Sequence, residues 1–401
     1  MRILHVISGL DPENGGPTFA LIGLAEAQAR AGLDVSVLAT WQITSGFPLA
    51  ERLRSNGVPV TLVGPAIGKL SRHADLAGAT DRAVAVADVV HIHALWEQVQ
   101  QDAAVAARRR GVPYVVTPHG MLSPWSLSQG KWLNRWGKQL YLSMRLRPNL
   151  DAAAAIHFTT TTERDLVAPL RLRAPAIVEP VGIDFAEFET LPERGAFRAA
   201  FPQLGDRPIV LFLSRLSPQK GLDRLIPAIA LIAEGNAEAV LAIVGPDYDG
   251  YEGVVHALVQ RHKLEDRVVF TGMLQGRQRI EAMVDAEMMV LPSHHENFGI
   301  VVAEAMASAL PVIVSKEVNI WQDVERCGAG VAVSGEPAAV AVQIMRMLEE
   351  EREVRQTMGE QGRVFARERY DWQHIARRWV DHYARLAPRA AATSAVVGAT
   401  L

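Results

Sequence analysis

The sequence predicts an α/β protein of two Rossmann-like, parallel-sheet domains that face an interdomain cleft. Short runs rich in β-branched residues recur along the chain with helical stretches between them, which is typical of parallel sheets covered on both faces. The chain has 401 residues, more than one simple hydrophobic core accommodates. A charged stretch at 185–208 separates two such series, so each series predicts one sheet.

The predicted strands fall into two groups, one for each domain. In the first half they are 3–8, 34–40, 58–63, 88–93, 114–117, 155–159 and 177–181. In the second half they are 209–214, 239–244, 267–271, 288–292, 312–315 and 330–333. We expect domains at 1–190 and 191–371. The segment "DWQHIARRWVDHYARL" has Ile375, Trp379 and Tyr383 at helical spacing, which predicts a C-terminal helix, 372–390, that packs back on the first domain.

The composition is that of a soluble globular protein. Hydrophobic residues make up 49% and charged residues 21%, and the formal net charge of −3 predicts no nucleic-acid partner. A single cysteine, Cys327, argues against a disulfide framework and favours a reducing compartment. The start, "MRILHVISGL", lacks the apolar region of a signal peptide, and no segment reaches the ~18 uninterrupted apolar residues of a spanning helix. We therefore expect a cytoplasmic protein.

Candidate functional residues follow predicted strands, where open α/β sheets bind their ligands. The first is the pair Gly15 and Gly16, in the loop between strand one and a helix, where backbone N–H groups and a helix N-terminus suit a phosphate. The alternatives are a dinucleotide-binding loop and a plain Gly-rich turn. However, G-x-G-x-x-G is absent, and the second strand ends in Thr40 and Trp41 rather than in the acid that holds an NAD ribose.

Two cations follow the first strand of the second domain. In "LFLSRLSPQKGLDRLI", Arg215 and Lys220 precede a helix. Arginine binds phosphate through a planar fork and lysine as a point charge, so the pair suits a phosphate or diphosphate. The alternative is that both are ordinary solvated surface charges.

Two acids stand in the otherwise apolar stretch "LPSHHENFGIVVAEAMASALPVIVS". Glu296 falls in a loop at a strand end, where it suits sugar hydroxyls, and Glu304 falls on the following helix, where it suits a ribose diol. Free backbone N–H groups near Phe298 and Gly299 would face an anion. The alternative is a solvated Glu304, but its apolar helix neighbours leave little room for a polar face.

Together these motifs resemble family 4 of the retaining glycosyltransferases with the GT-B fold. The resemblance rests on E-x7-E in "ENFGIVVAE", on Arg215 and Lys220 before Gly221, and on the Gly-Gly loop, and it runs from residue 1 to about 385. "HGMLSPWSL", "VGPDYDGYEG" and "NIWQDVERCGAGVAV" are similar to bacterial members that build surface polysaccharides. The chain has Ser214 where the family usually has glycine, and Val181, in "EPVGID", where it usually has asparagine.

The resemblance implies a role for each matched residue. Arg215 and Lys220 hold the diphosphate of a nucleotide sugar, Glu304 binds the ribose, and Glu296 meets hydroxyls of the donor sugar. The resemblance further implies contacts along the sugar and phosphates for the backbone groups of Asn297, Phe298 and Gly299.

It also implies contacts from other parts of the chain. Gly15 and Gly16 approach the diphosphate from the first domain. His119, in "TPHG" at a strand end, stands near the donor sugar and the acceptor, and the base rests near Met273, after "VVFTG". The implied catalytic residues are His119, Glu296, Arg215 and Lys220.

The reaction implied is glycosyl transfer through an oxocarbenium-like state with a departing diphosphate, whose growing charge fixed cations and N–H donors stabilise. Retention often proceeds by double displacement through a carboxylate nucleophile. Our working hypothesis is instead attack on the same face, with the leaving phosphate taking the proton of the acceptor. Glu296 is the rival candidate for a nucleophile.

Two patterns suggest metal binding. Asp247 and Asp249 in "PDYDG" resemble the metal motif of another glycosyltransferase fold, but a polar turn explains them as well. A second candidate is a set of histidines, His91, His93, His294 and His295. Because Arg215 and Lys220 already supply positive charge, we predict no metal requirement and no cofactor, the nucleotide sugar being a substrate.

A basic, aromatic segment lies between residues 103 and 150. From 103 to 150 there is no acid, and within 131–147 Trp132, Trp136, Leu140 and Met144 recur every four residues beside cations such as Lys131, Arg135 and Lys138. Such a helix is typical of proteins that lie on an anionic membrane. The alternative is a core-packed helix with a solvated basic face.

The sequence therefore predicts a hexosyltransferase-type enzyme that moves a sugar from a UDP- or GDP-linked donor to a glycan or lipid-linked acceptor in bacterial surface polysaccharide synthesis. It is expected in the cytoplasm, with peripheral binding to the inner face of the membrane. The alternatives are an epimerase or storage-glucan synthase of the same fold, and a nucleotide-sugar-binding protein without turnover.

Overall fold

The computed structural model of the protein describes residues 1–42, 46–129, 132–235 and 238–387. These residues form two compact units. Unit 1 contains Met1–Gly182 and the segment from Trp372 onward, and unit 2 contains Ile183–Asp371. The sequence places the domain boundary at 190, whereas unit 1 ends at Gly182; residues 388–390 of the predicted C-terminal helix lie outside the described residues.

All of the predicted strands are present. They are β1 (Arg2–Ile7), β2 (Asp34–Thr40), β3 (Val60–Val63), β4 (Val89–His93), β5 (Tyr114–Thr117), β6 (Ala155–Phe158), β7 (Ala176–Val178), β8 (Ile209–Leu213), β9 (Val240–Val244), β10 (Val268–Gly272), β11 (Met288–Leu291), β12 (Val312–Ser315) and β13 (Gly330–Val333).

Helices connect the strands. The α-helices are α1 (Gly16–Arg30), α2 (Pro48–Ser55), α3 (Leu76–Ala85), α4 (Gln98–Arg110), α5 (Pro124–Ser128), α6 (Trp132–Tyr141), α7 (Arg147–Asp151), α8 (Thr161–Val167), α9 (Ala196–Ala200), α10 (Leu222–Glu234), α11 (Tyr251–Arg261), α12 (Arg277–Asp285), α13 (Ile300–Ala307), α14 (Trp321–Arg326), α15 (Pro337–Glu349), α16 (Arg352–Tyr370) and α17 (Trp372–Leu386). A π-helical turn, Leu142–Leu146, joins α6 to α7.

Each unit is built on a parallel sheet with helices on both faces. The strand order is β3-β2-β1-β4-β5-β6-β7 in unit 1 and β10-β9-β8-β11-β12-β13 in unit 2. Neighbouring residues of β2 enter different apolar clusters, Leu38 on one face and Val37 and Ala39 on the other, because strand side chains alternate. The predicted fold of two Rossmann-like domains is confirmed. In both sheets the order reverses at the first strand, next to β4 and β11 respectively.

The last helix belongs to unit 1. The Trp372 indole lies against two glycines: a Cβ atom at Gly23 would come 2.2 Å from Trp372 Nε1, and one at Gly182 would come 2.4 Å from Cδ2. Farther along α17, Trp379 and Tyr383 are fully buried. Unit 1 is therefore discontinuous in sequence, and the helix after unit 2 completes it.

None of the described helices is both long and apolar enough to cross a membrane.

Candidate active site

The two predicted cations and the loop acid meet where the strand order of unit 2 reverses. Arg215 and Lys220 follow β8, and Glu296 follows β11, the strand beside β8. Lys220 Nζ forms an ion pair with the Glu296 carboxylate, and the side chains are only 12% and 17% exposed. Reversal points beyond the carboxyl ends of parallel strands are where such sheets bind ligands. The structure thus joins two residues that the sequence singled out separately.

The two loops are also held together by their backbones. His294 N donates to Gln219 O at 2.8 Å, and Gln219 Nε2 donates to His295 O at 2.9 Å. Gly221, which precedes α10, has φ +80°, and a Cβ atom there would lie 2.1 Å from the Pro292 carbonyl oxygen. Glycine is therefore required at this position by both backbone conformation and space.

We expect Gly221→Ala to destabilise unit 2 by about 2 kcal/mol or more, since it combines an unfavourable φ with a backbone clash. Gly250→Ala is the matched control: Gly250 precedes α11 with φ +74°, but a Cβ atom there would meet nothing within 4 Å, so this variant isolates the conformational cost. Urea unfolding followed through Cys327 labelling measures both variants. Equal losses at the two glycines would contradict the importance of the Pro292 contact.

Arg215 is exposed, and its guanidinium is accessible to an anion. Its guanidinium carbon lies 4.9 Å from the centre of the Tyr248 ring, and among the described residues it has no carboxylate within ion-pair distance. The loop after β9 supports it: Leu216 N donates to Pro246 O at 2.9 Å, and Tyr248 N donates to Leu216 O at 3.1 Å. Arg215 therefore keeps its charge available at the strand end.

Asp247 caps the start of α11. Its carboxylate accepts hydrogen bonds from Gly250 N at 3.1 Å and from Glu252 N at 2.8 Å. Asp249 has φ +59°, as is common for aspartate in turns. These contacts favour the polar-turn interpretation of "PDYDG" over a metal motif.

Glu304 is buried on α13 in a chain of charges. Arg279 Nη1 donates to Glu304 Oε1 at 2.7 Å, and Arg279 Nη2 donates to Glu187 Oε2 at 2.8 Å. Burial raises the pKa of Glu304 to about 7, although the charge of Arg279 opposes that shift. The solvated alternative for Glu304 is therefore wrong: the side chain is 9% exposed. Sequence reasoning missed Arg279 and Glu187, which stand in no motif.

The remaining predicted donor residues of unit 2 lie on the same edge of the sheet. Gly299 has φ +80° and precedes α13, while Phe298 is buried with its ring edge-on to Tyr370 at 5.4 Å. Asn297 lies between Glu296 and Phe298 in the loop after β11. Met273 follows β10 and is 59% exposed.

In unit 1 the Gly-Gly loop follows β1 as predicted. Gly15 has φ +70°, and Gly16 begins α1. A Cβ atom at Gly16 would meet nothing within 4 Å, so no neighbouring atom crowds this position. The arrangement suits close approach of an anion to the backbone.

His119 occupies a tight turn after β5. It has φ +50°, and Gly120 after it has φ +78°. The fully buried carboxylate of Glu163 accepts hydrogen bonds from Gly120 N at 2.6 Å and Thr159 N at 2.7 Å, so it holds this turn. Thr160 caps α8 by accepting from Glu163 N at 2.9 Å. The T-x-x-E spacing of a capping box is the sequence signal that would have pointed to Glu163.

Several buried histidines of unit 1 form a cluster that contacts His119 through His93. One ring nitrogen from each of His5, His91 and His93 lies within 4.8 Å of the other two. However, both nitrogens of each ring already have hydrogen-bond partners, so a metal ion would have to displace those bonds. The predicted metal set is thus divided: His91 and His93 join His5 in unit 1, whereas His294 in unit 2 contacts Asp223 at 2.9 Å.

Comparisons with known proteins agree with this geometry. The model of the family "Glycosyl transferase 4-like domain" matches residues 15–182, and that of "Glycosyl transferases group 1" matches residues 193–365. A GDP-mannose:cellobiosyl-diphosphopolyprenol alpha-mannosyltransferase of Xanthomonas campestris is 25% identical over 390 residues, covering 96% of each chain. A 2-deoxystreptamine glucosyltransferase of Streptomyces kanamyceticus is 28% identical over 396 residues, covering 91% of this chain and 98% of its own.

Solved structures share the fold. Anabaena Alr3699/HepE in complex with UDP-glucose superimposes with a TM-score of 0.75 at 22% identity, covering 96% of this chain and 100% of that one. The two sheets, the reversal-point site and the family matches together define a GT-B glycosyltransferase. The two family models together cover most of the chain, which is a glycosyltransferase of the GT4 type, and the prediction of a hexosyltransferase-type enzyme is confirmed.

Proposed function

We propose that the protein transfers a hexose, with retention of anomeric configuration, from a nucleotide sugar to a glycan or lipid-linked acceptor in bacterial surface polysaccharide synthesis. The observation that carries the proposal is the Lys220–Glu296 ion pair at the reversal point of unit 2, with Arg215 exposed on the same loop as Lys220. This arrangement supports the proposal, because cations suit a diphosphate and a carboxylate suits sugar hydroxyls. Full-length relatives that act on polyprenol-linked and small-molecule acceptors support a transferase.

Each side chain then has a distinct role. Arg215 and Lys220 neutralise the charge that develops on the departing diphosphate. Glu296, held by Lys220, orients the sugar, and Glu304, held by Arg279, accepts hydrogen bonds from the ribose. The loop backbone from Asn297 to Gly299, together with Met273, contributes further donor contacts in unit 2. For unit 1 we propose a role for Gly15, Gly16 and His119, as the family resemblance implies.

We propose that transfer occurs on one face of the sugar. The bond from the anomeric carbon to the diphosphate oxygen breaks as the acceptor oxygen bonds to that carbon, and the acceptor proton passes to the leaving phosphate. The ion pair of Glu296 with Lys220 supports an orienting role for this carboxylate rather than a nucleophilic one. Proton nuclear magnetic resonance of the first-formed product tests retention.

If Glu296 were instead the nucleophile, a small external anion would restore activity to a variant that lacks it. We expect Glu296→Ala to lower kcat by about 10²-fold or more, and azide not to restore it. The control is His294→Ala, which removes a partly buried neighbour in the same loop and its contact with Asp223. Formation of an inverted glycosyl azide by Glu296→Ala would establish double displacement instead.

The donor is to be identified by a panel of UDP- and GDP-sugars. Relatives differ in this respect: one is named for GDP-mannose, and a structural neighbour was solved with UDP-glucose. Selective binding raises the apparent melting temperature, and incubation of the stabilising donor with candidate acceptors then tests transfer.

The same incubations distinguish the alternative functions. Sugar isomerisation would favour an epimerase, glucan extension would favour a storage-glucan synthase, and binding without turnover would favour a silent binding protein. We propose that no metal is required, so EDTA should leave transfer unchanged.

We further propose that unit 1 binds an anionic membrane through the exposed side of α6 and the following turn. Trp136, Leu140 and Met144, spaced every four residues, are 64%, 60% and 70% exposed. This contradicts the core-packed alternative for these residues, since a core helix would bury them. The described cations Lys138 and Arg145 flank the stripe. Of the predicted surface, Lys131 and the side chains of Trp132 and Arg135 lie outside the described residues.

Replacing Trp136, Leu140 and Met144 together by serine should reduce sedimentation with phosphatidylserine-containing vesicles at least fivefold, since it removes the apolar face that inserts. The matched control replaces Val354 and Val364 by serine; both are exposed valines on α16 of unit 2. Vesicle binding that is unchanged in the triple variant would show that this surface has another use. Lys138→Glu should also weaken binding, by about 1 kcal/mol at low salt.

A further inference from the structure

A continuous chain of hydrogen bonds runs through the interior of unit 1 and ends at His119. We call it the histidine chain; its members, in order, are His157, Thr117, His91, Tyr383, Gln28, His5, His93 and His119. All but His119 are at most 5% exposed. The chain begins on the backbone carbonyl of Glu179, and its members come from β1, β4, β5, β6, α1, α17 and the turn after β5.

The beginning of the histidine chain determines the direction of its hydrogen bonds. The Glu179 carbonyl oxygen can only accept, so His157 Nε2 donates to it at 2.8 Å. A neutral imidazole carries a single N–H, and His157 Nδ1 must therefore accept from the Thr117 hydroxyl at 2.8 Å. Because the one proton of that hydroxyl is used, its oxygen accepts from His91 Nε2 at 2.7 Å.

The same reasoning extends along the middle of the chain. His91 Nδ1 has no proton, so it accepts from the Tyr383 hydroxyl at 2.6 Å. The Tyr383 oxygen then accepts from Gln28 Nε2 at 3.2 Å. This orients the amide so that Gln28 Oε1 accepts from His5 Nε2 at 2.8 Å.

At the far end the direction reaches His119. His5 Nδ1 accepts from His93 Nε2 at 3.0 Å, and His93 Nδ1 accepts from His119 Nε2 at 3.1 Å. We propose that the histidine chain sets the tautomer of His119, holding its proton on Nε2 and leaving Nδ1 as a hydrogen-bond acceptor. The members behind His119 are positioning residues. The functional part of this inference rests on the proposed function, which gives His119 a place in the site.

The burial of the rings keeps them neutral, as the tautomer assignment requires. Burial lowers the pKa of His5 and of His157 to about 4 and that of His119 to about 3. The pKa values of His91 and His93 also lie well below the usual 6.5, because of burial first and neighbouring histidines second. At neutral pH each ring therefore has one donor and one acceptor nitrogen.

The first test reads the tautomer directly. Nitrogen-15 resonances of a histidine ring distinguish protonated from unprotonated nitrogens, and His119→Gln identifies the His119 signals by their disappearance. We expect Nε2 of His119 to carry the proton in the wild-type protein without any substrate. A proton on Nδ1, or a mixture of tautomers, would overturn the proposal.

The second test reverses the direction of the hydrogen bonds between His5 and His119 in the histidine chain. In Gln28→Glu a buried carboxylate next to His5 should draw a second proton onto that ring, because an unpaired buried charge is costly. His5 Nδ1 then donates to His93 Nε2, His93 Nδ1 donates to His119 Nε2, and the His119 proton moves to Nδ1. Gln101→Glu is the matched control: Gln101 is 5% exposed and accepts a hydrogen bond from Asn149, but it lies outside the chain. An unmoved His119 proton in a folded Gln28→Glu protein would refute the mechanism.

The third test pairs two variants at Thr117 and adds turnover. Thr117→Val removes the hydroxyl that links His157 to His91, so we expect a mixture of His119 tautomers and a loss in kcat of up to about tenfold, as for one hydrogen bond. Thr117→Ser keeps the hydroxyl and should retain both the wild-type tautomer and rate. Equal kcat values in the valine and serine variants would show that the His119 tautomer does not affect catalysis. Failure of the proposed function is distinct: no donor is turned over, while the nitrogen-15 spectra still show Nε2–H.

Discussion

Replacing Arg215 by alanine should lower kcat by about 10²-fold or more while leaving the stability of unit 2 within about 0.5 kcal/mol of wild type. The guanidinium is exposed and its described contact is the face of Tyr248, so the folded state gains little from it. Its charge matters when a diphosphate departs. The single-turnover rate with the donor found in the panel is the measurement, because it separates chemistry from product release.

The effect of removing Arg215 is easier to interpret than that of removing Lys220. Without Lys220, the Glu296 carboxylate would lose its ion-pair partner, so two groups would be perturbed at once. Arg326→Ala is the matched control. Arg326 also lies over an aromatic ring of unit 2, 5.4 Å from the centre of Phe365, and is exposed on α14. We expect wild-type turnover for Arg326→Ala. A similar loss in both variants would mean that general charge, rather than the strand-end position, drives the effect.

Acidification from pH 7.5 to 5 should selectively destabilise unit 1. Three of its buried histidines, His5, His119 and His157, have folded-state pKa values of about 4 or lower, against 6.5 in the unfolded chain. Between these values the unfolded state binds more protons, so the free energy of unfolding falls as pH decreases. Each such histidine contributes up to about 1.4 kcal/mol per pH unit. The loss begins near pH 6.5 and continues toward pH 4.

In unit 2, Glu304 should contribute in the opposite direction over part of this range and so offset His295, whose pKa burial lowers. The pKa of Glu304 is raised from 4.5 to about 7, so its folded form binds the extra proton and gains stability as pH falls from 7 toward 4.5. The chain offers a probe for each unit. Of its eight tryptophans all but Trp321 lie in unit 1, and its single cysteine, Cys327, lies in unit 2. Urea titrations followed by fluorescence and by thiol labelling at both pH values measure the two effects; parallel shifts would contradict the assignment.

The fold was predictable because its signals are local. Alternating apolar strands and helices predict each sheet, and a strand end is a property of neighbouring residues, so Arg215, Lys220 and Glu296 could be found from short motifs. Their direct pairing could not, since it depends on which strands lie side by side. Arg279 was missed because a single arginine on a helix has many solvated counterparts, and only the fold brings it to Glu304.

The histidine chain shows the same limit more clearly. Alternation along β4 predicts that His91 and His93 point to the same side, and they do. Their partners, however, come from distant positions: Tyr383 is 292 residues from His91, and Gln28 is 355 residues from Tyr383. Sequence patterns carry no information on such register, and a direction of hydrogen bonding emerges only when every link is known.

The discontinuous course of unit 1 has a consequence for biosynthesis. Trp372, Trp379 and Tyr383 are buried in unit 1 but follow unit 2 in the chain. The ribosome must therefore synthesise all of unit 2 before these side chains can complete the core of unit 1. Until α17 has left the ribosome, His91 lacks the hydroxyl of Tyr383, and the pocket for Trp372 between Gly23 and Gly182 stays unfilled. Unit 1, which begins before unit 2 in the chain, can thus be completed only after unit 2 has been synthesised.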